Sequence, residues 1–263
     1  MNTKTGVRTT PGCRHQNLEG NTTAHTTERT ASHMTCVAVL PARGGSKGIP
    51  RKNLKLFLGK PLLAWQVQAC LQSKVFDEVY VSTEDEEIAE VAKELGAKVH
   101  VRSPEAAADT ASSEMVLLEF LEWMVRKGEK PTYVCMPQAT SPLTLPEDYQ
   151  KAYEMLTHND ADSVLSVCRE HVFLWRPQQE GKYLHAHNYA PQTRPRRQDW
   201  EGELIENGAF YMSKVDVVLR DQCRLGSKVL AVEMPKHRSV DIDAADDFKV
   251  CEVLGALHGF GAT

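Results

Sequence analysis

At 263 residues, with 41% hydrophobic residues and a formal net charge of −4, the chain is long enough for one α/β domain with an appendage or two small domains. The weakly acidic balance argues against a nucleic-acid partner, and no apolar run approaches the ~18 residues of a membrane span, so no membrane partner is expected. Seven scattered cysteines, odd in number and without a C-x-x-C pair, read as reduced thiols of a cytosolic or nuclear protein.

Residues 1–33 are a polar lead rich in Thr, Arg and His with almost no aliphatic side chains, and this extension is expected to be disordered. It lacks the apolar core of a secretory signal, so the chain reads as not secreted and the Asn21-Thr22-Thr23 sequon carries no weight. The stretch Cys36 to Asn53, C-V-A-V-L-P-A-R-G-G-S-K-G-I-P-R-K-N, is the first with a chemical message. Cys36 to Leu40 has the length and β-branched content of a strand buried on both faces, ended by Pro41. Gly44, Gly45 and Gly48 then permit positive φ and close approach of backbone N–H groups, while Arg43, Lys47, Arg51 and Lys52 add positive charge with no acid between them. A polyphosphate is the guest that suits such a loop. The run is neither a P-loop nor a dinucleotide fingerprint. Gly44 to Gly48 does fit G-x-S-x-G, which would make Ser46 a serine-hydrolase nucleophile, although Pro50 and the non-periodic I-P-R-K-N delay the helix that motif requires. A plain surface loop with solvated charges is the other alternative.

Further along, Pro61 to Leu71 has helical spacing, Glu78 to Ser82 reads as a strand, and Thr83-Glu84-Asp85-Glu86 reads as a capping box opening a helix from Glu84 to Leu95 that Gly96 closes. Ala97 to Val101 is a third short strand, and this alternation is that of a parallel βαβ sheet. Arg102 follows, and Asp109-Thr110-Ala111-Ser112-Ser113 leads into an amphipathic helix over about Glu114 to Arg126. That lead is either a plain N-cap or a helix start whose free N–H groups and hydroxyls hold an anion or a base edge. Thr132 to Met136 is a buried strand, and the Pro137 to Leu143 loop at its carboxyl end lies where open α/β sheets place ligands. Thr144-Leu145-Pro146-Glu147 reads as a second capping box, opening a helix to about Thr157.

Beyond a strand at Ser163 to Cys168, Phe173 to Trp200 is too irregular for a βαβ unit and too aromatic for a linker. Its basic cluster Thr193 to Gln198 offers a guanidinium fork from Arg196 or Arg197. Strands are expected at Glu206 to Met212 and Val229 to Val232, and a terminal helix over about Ala244 to Leu257. Between them, Asp241 and Asp243 sit two apart in an extended segment, so both carboxylates point to one side and can converge on a hard cation while Ile242 faces the core. The alternative is that Asp243 merely caps the helix. There is no H-E-x-x-H and no Cys/His cluster, so zinc is not expected, and His185 and His187 read as surface residues.

The loop motif, together with Q-A-T-S-P-L at Gln138 to Leu143, N-G-A-F-Y at Asn207 to Tyr211 and S-V-D-I-D at Ser239 to Asp243, resembles the N-acylneuraminate cytidylyltransferases, or CMP-sialic acid synthetases, over most of the chain. The resemblance is to a short form without the phosphatase-like domain of vertebrate members. It implies a Rossmann-like α/β nucleotidyltransferase fold over residues 34–263, with a mostly parallel sheet, flanking helices and a protruding dimerisation arm at about 170–206. It also implies a homodimer, and transfer of CMP from CTP to the anomeric hydroxyl of a sialic acid by in-line attack at the α-phosphate. Arg43, Gly44, Gly45, Ser46, Lys47, Lys52 and Asn53 would then hold the triphosphate, with Arg43, Lys47, Lys52 and Asp241 carrying the catalysis. Arg102, Ala111 and Ser113 would contact the cytosine.

Gln138, Thr140, Ser141 and Tyr211 would border the sugar, joined by Arg196, Arg197 and Gln198, which could belong to the neighbouring subunit's site. Asp241 and Asp243 would bind Mg2+. Ala139 stands where the family carries proline, and the Arg194 to Arg197 cluster resembles a nuclear-import signal, leaving nucleus or cytoplasm as the expected location. The alternatives are a cytidylyltransferase for another nonulosonic acid such as deaminated neuraminate, a serine hydrolase using Ser46, and a non-catalytic binding module.

Overall fold

The computed structural model describes residues 36–46, 48–178 and 181–261; the expectations for residues 1–33 and for Lys47 fall outside them. In chain order the elements begin with β1 (Cys36–Pro41), a 3₁₀ turn (Lys52–Leu54), a two-stranded ribbon of β2 (Leu56–Phe57) and β3 (Lys60–Pro61), and α1 (Leu62–Ser73). Next come β4 (Glu78–Thr83), α2 (Glu86–Glu94), β5 (Lys98–Val101), the single turn α3 (Pro104–Ala107) and α4 (Ser113–Arg126). After β6 (Tyr133–Pro137), α5 (Pro146–His158) and β7 (Ser163–Glu170), a second ribbon pairs β8 (Trp175–Pro177) with β9 (Leu184–Ala186). The long β10 (Glu203–Lys214), α6 (Val215–Asp221), β11 (Val229–Met234) and α7 (Ala245–Leu257) complete the described chain.

Seven strands form one sheet in the order β11-β7-β10-β6-β1-β4-β5, and all pair in parallel except β10, which runs antiparallel to both β6 and β7. This is the mostly parallel, helix-flanked sheet that the βαβ alternation implies. Side chains of β1 alternate between its faces: Cys36, Ala38 and Leu40 pack with Leu63 and Val67 of α1, Ile88 of α2 and Tyr149 of α5. Val37 and Val39 pack on the other face with Leu117, Phe120 and Leu121 of α4 and Val218 of α6. Two buried faces explain the continuous apolar run C-V-A-V-L where a half-exposed strand would alternate with polar residues. Because β4 leaves β1 on one side and β6 on the other, a crevice opens between the carboxyl ends of β1 and β6, the place where open α/β sheets bind ligands.

A third apolar cluster sits at that carboxyl end. Ile49, Phe57, Leu62, Leu143, Ile242 and Phe248 come from four separate stretches of chain and are all nearly or fully buried. Phe57 makes edge contacts with Trp65 and Phe248, at 5.9 and 5.6 Å between ring centroids. Burying Ile242 completely is worth about 2 kcal/mol, and it fixes the two aspartates on either side of it.

Several boundaries differ from the sequence reading. The cap of α2 is Asp85, whose carboxylate accepts from the Ile88 N–H, so the helix starts at Glu86 and not at Glu84, and Thr83 bonds the Asp85 amide. Likewise α5 is closed by Asp148, which accepts from the Leu145 N–H, while Thr144 turns its hydroxyl inward to the Ser141 carbonyl. Gly96 does take positive φ after α2, as a terminal glycine should. The structure adds α3 and α6, and β10 runs well beyond the expected Glu206 to Met212 because its register shifts between Glu206 and Tyr211. Asn207 and Gly208 lie in that bulge, Gly208 with φ +71. Among the described residues, no helix is long and apolar enough to cross a membrane.

Asp85 holds the start of α2 and also pairs with Arg51, and that guanidinium keeps its carboxyl below the usual carboxylate range. A lowered acid stabilises the fold above its unfolded value, about pH 4, and the stabilisation is lost as pH falls through the native value. Asp85→Ala should therefore cost about 1–2 kcal/mol at neutral pH, and the gap to the parent protein should close on acidification. Urea midpoints followed from neutral pH to about pH 3 check this; a gap independent of pH would contradict it.

Candidate functional site

The loop after β1 is shaped by its own ends. Arg51 takes the left-handed conformation (φ 53) that turns the chain into the 3₁₀ turn, and buried Asn53 donates from Nδ2 to the Arg43 carbonyl at 3.0 Å. The glycines serve a different purpose from the one their sequence suggests, since none of Gly44, Gly45 and Gly48 is among the positive-φ residues. A Cβ on Gly44 would collide with the Asp85 carboxylate and one on Gly48 with the Asp243 carbonyl, so these two are glycines to allow close approach.

A cleft of about 280 Å³ opens at the crevice. Pro41, Arg43, Ser46 and Gly48 line it from the loop, with Lys52 and Asn53 behind them. The facing wall is Ser113 at the start of α4, Met136 at the end of β6, Gln138, Ala139 and Thr140 of the following loop, and Asp243. In the D-T-A-S-S stretch Ser112 caps α4 by accepting from the Met115 N–H at 3.1 Å, while Ser113 lines the cleft.

Lys52 joins the two halves of the site. Its side chain is 14% exposed, and its ammonium donates to the Ile242 carbonyl at 2.6 Å and lies 3.6 Å from Asp243 Oδ1. The Ile242 N–H bonds the Thr140 carbonyl at 2.9 Å, which ties the segment Asp241 to Asp243 to the loop after β6. At the entry to that segment Asn207, in the β10 bulge, donates to Ser239 Oγ at 2.9 Å. The well-buried Arg238–Asp148 pair anchors it to α5, with Arg238 Nη2 3.1 Å from Asp148 Oδ1.

Asp243 does not cap α7. Asp247 accepts from the Asp243 and Ala244 N–H groups at 3.1 and 2.8 Å, leaving the Asp243 carboxylate 79% exposed. Asp241 does not line the cleft; its surface is exposed, while crowding by protein raises its carboxyl above the ordinary value, the neighbouring Thr140 hydroxyl opposes this, and the Asp243 charge adds to it. Asp241 and Asp243 flank buried Ile242, and two neighbouring carboxylates are donors of the kind a hard divalent cation takes. Among the described residues there is no group of three or more His, Cys, Asp or Glu that could hold a metal ion.

Other candidate residues lie elsewhere. Gly44 turns its N–H away from the cleft lining, to Glu84 Oε1 at 2.7 Å. Gly45 is exposed and does not line the cleft. Arg102 is 6% exposed beneath the site, bonded to the carbonyls of Ser82 and Ala106, and Ala111 sits in the turn before α4; neither lines the cleft. Ser141 is buried behind the wall, its carbonyl accepting from Gln66 Nε2 at 2.6 Å. Tyr211 packs in the core with its hydroxyl on Glu206 and the Arg224 guanidinium 4.4 Å over its ring. Arg196, Arg197 and Gln198 are exposed on the segment that carries the β8–β9 ribbon, Arg196 paired with Asp199 at 2.6 Å, and none lines the cleft of its own chain. Ser46 lines the cleft without histidine among the lining residues, and a turn and a 3₁₀ segment follow it where a nucleophile elbow needs a helix.

Sequence reasoning missed the acids. Arg51 pairs with Asp85 and Glu87, and Arg43 donates to Asp109 at 2.8 Å, so cations with no acid between them in sequence are matched across space. The signal was present as T-E-D-E-E at the carboxyl end of β4, the strand beside β1.

A family model described as Cytidylyltransferase matches residues 37–225. The chain is 43% identical over 243 residues to N-acylneuraminate cytidylyltransferase A of Danio rerio, covering 92% of this chain and 55% of that protein. It is also 43% identical to N-acylneuraminate cytidylyltransferase of Oncorhynchus mykiss, covering 85% and 51%. The chain therefore spans about half the length of these curated relatives. It is 33% identical to the pseudaminic acid cytidylyltransferase of Campylobacter jejuni, covering 84% of this chain and 96% of that one. Among solved structures, a CMP:2-keto-3-deoxy-manno-octonic acid synthetase complexed with CTP shares the fold, with TM-score 0.65 at 18% identity, covering 85% of this chain and 99% of that chain.

Gly48→Ala tests the contact between the loop and the segment Asp241 to Asp243. The new methyl would meet a backbone carbonyl that has no free rotation, so the variant should lose about 1–3 kcal/mol in urea unfolding. An unchanged midpoint would show that the two segments are not packed as described.

Proposed function

The chain belongs to the cytidylyltransferase family, and from that premise we propose that it transfers CMP from CTP to the anomeric hydroxyl of a sialic acid, releasing pyrophosphate. The observation that carries this reading is the cleft itself, where Arg43 and Lys52 of the loop after β1 share the lining with Asp243, on the segment held by the Lys52–Ile242 bond. The higher identity to the acylneuraminate enzymes favours a sialic acid, and the likeness to the pseudaminic acid enzyme makes another nonulosonic acid the second reading.

In this reading Arg43, Ser46, Lys47 and Lys52 hold the triphosphate, and Asn53 keeps Arg43 in place through its carbonyl. Gln138 and Thr140, on the wall opposite the loop, orient the sugar so that its hydroxyl lies in line with the leaving pyrophosphate. Chemistry of this kind needs positioning and charge stabilisation more than covalent participation. Arg43 and Lys52 supply fixed positive charge where negative charge grows on the phosphate oxygens. Asp241 and Asp243 would hold Mg2+, which when bound supplies charge neutralisation at the phosphates and lowers the pKa of a hydroxyl it touches.

The segment between β7 and β10 acts as a dimerisation arm in this reading, since it exposes Trp175, Tyr183 and Leu184 at 48, 63 and 58%. Arg196 and Arg197 then serve a neighbouring cleft, which accounts for their distance from their own. The Arg194 to Arg197 cluster also supports nuclear import, leaving nucleus or cytoplasm as the location; a fluorescent fusion that stays cytoplasmic would remove the import reading.

Pyrophosphate release from CTP and N-acetylneuraminic acid with Mg2+, against ATP, UTP and the deaminated and pseudaminic acids, tests the activity and its substrate together. Lys52→Ala and Asp241→Asn should each lose about 100-fold or more in kcat/KM, the scale of removing one fixed charge from a transition state. Variants within about twofold of the parent would sink the assignment. Separately, Mg2+ added with CTP should raise the Tm of the parent protein and not that of Asp243→Asn; an equal shift in both would move the metal off this pair.

A further inference from the structure

Glu84, the first residue after β4, falls outside the helix that its capping-box motif suggested and does not line the cleft, yet it contacts two parts of the site. Its Oε1 accepts from the Gly44 N–H at 2.7 Å and its Oε2 lies 3.7 Å from Arg102 Nε. That Nε is buried and has no hydrogen-bond partner among the described residues, so Glu84 supplies the nearest opposite charge to a cation 6% exposed. Beside it, the Asp85 carboxylate fills the space that a Gly44 Cβ would need, and Asp85 and Glu87 hold Arg51 at the far end of the loop.

The phosphate loop therefore has two faces. Arg43, Ser46 and Gly48 line the cleft, while the Gly44 amide points backward into the acidic turn. We infer that Glu84 is a positioning residue for the nucleotide, bracing the back of the loop so that Arg43 and Ser46 stand ready at the front, and coupling the loop to buried Arg102. An acid holding a loop from behind lowers the ordering cost that the nucleotide would otherwise meet on binding. If Glu84 instead merely occupied an amide that the triphosphate needs, its removal would tighten binding, so the two roles predict opposite signs.

The inference rests on the proposed CTP-dependent activity, and the test separates the two. Pyrophosphate release is measured at varied CTP and saturating sugar acid for the parent protein, Glu84→Ala and Glu84→Gln, with calorimetric titration of CTP into each. Glu84→Ala should raise KM for CTP about tenfold with kcat within about twofold, the loss expected for one charge-assisted hydrogen bond. Glu84→Gln keeps an acceptor for the Gly44 N–H but loses the charge facing Arg102, and should fall between. A merely structural role would lower kcat through a smaller active fraction at constant KM; that outcome, an unchanged KM or a lowered KM each overturns the inference. Should the parent release no pyrophosphate, the proposed function fails, and the CTP Kd alone decides Glu84, with the same tenfold weakening expected.

Discussion

The hydrogen bond from the Lys52 ammonium to the Ile242 carbonyl spans most of the sequence and closes the site. It joins the cationic loop to the acidic segment Asp241 to Asp243, beside the packing of Ile49 with Ile242 and of Gly48 with the Asp243 carbonyl. Its geometry depends on features that have no chemical role themselves. Ile242 must be buried in the cluster with Ile49, Phe57 and Phe248, Gly48 must lack a side chain so that the loop can lie against the Asp243 carbonyl, and the Arg238–Asp148 pair must hold the entry to the acidic segment. A lysine side chain loses considerable rotamer freedom when fixed in this way. What it gains is a charge held in place before any substrate arrives.

Charge in this region is arranged in layers. Arg51 is matched by Asp85 and Glu87 and Arg43 by Asp109, Glu84 takes the Gly44 amide from behind, and Asp243 shares the cleft lining with Arg43 and Lys52. The pairs beyond the cleft are partly exposed, so each contributes little to stability alone. Their effect is on shape, because they hold a glycine-rich segment that would otherwise sample many conformations. Asp241 shows the opposite balance: its carboxyl is raised by crowding and by the Asp243 charge, against the Thr140 hydroxyl and the Lys52 charge.

The framework was legible because periodicity reports burial directly. C-V-A-V-L announced a strand covered on both faces, and Gly96 announced the end of a helix, since both signals are local. Asp241 and Asp243 were legible as a pair for the same reason, two residues apart on an extended segment with Ile242 turned inward. The glycines were misread, since the sequence cannot distinguish a glycine that needs positive φ from one that needs an empty Cβ position; the left-handed residue in the loop is Arg51. Glu84 and Asp109 were missed because their partners are 40 and 66 residues away. The extra length of β10 was missed because a bulge interrupts the alternation at Asn207 and Gly208.

Amide hydrogen exchange on CTP and Mg2+ binding tests the central claim most directly, that residues 42–54 and 239–247 form one nucleotide site joined through Lys52. The account predicts that both segments gain protection together in the parent protein, and that Lys52→Met leaves the gain in the second segment much reduced. Protection confined to one segment, or appearing in neither while CTP is bound, would contradict it.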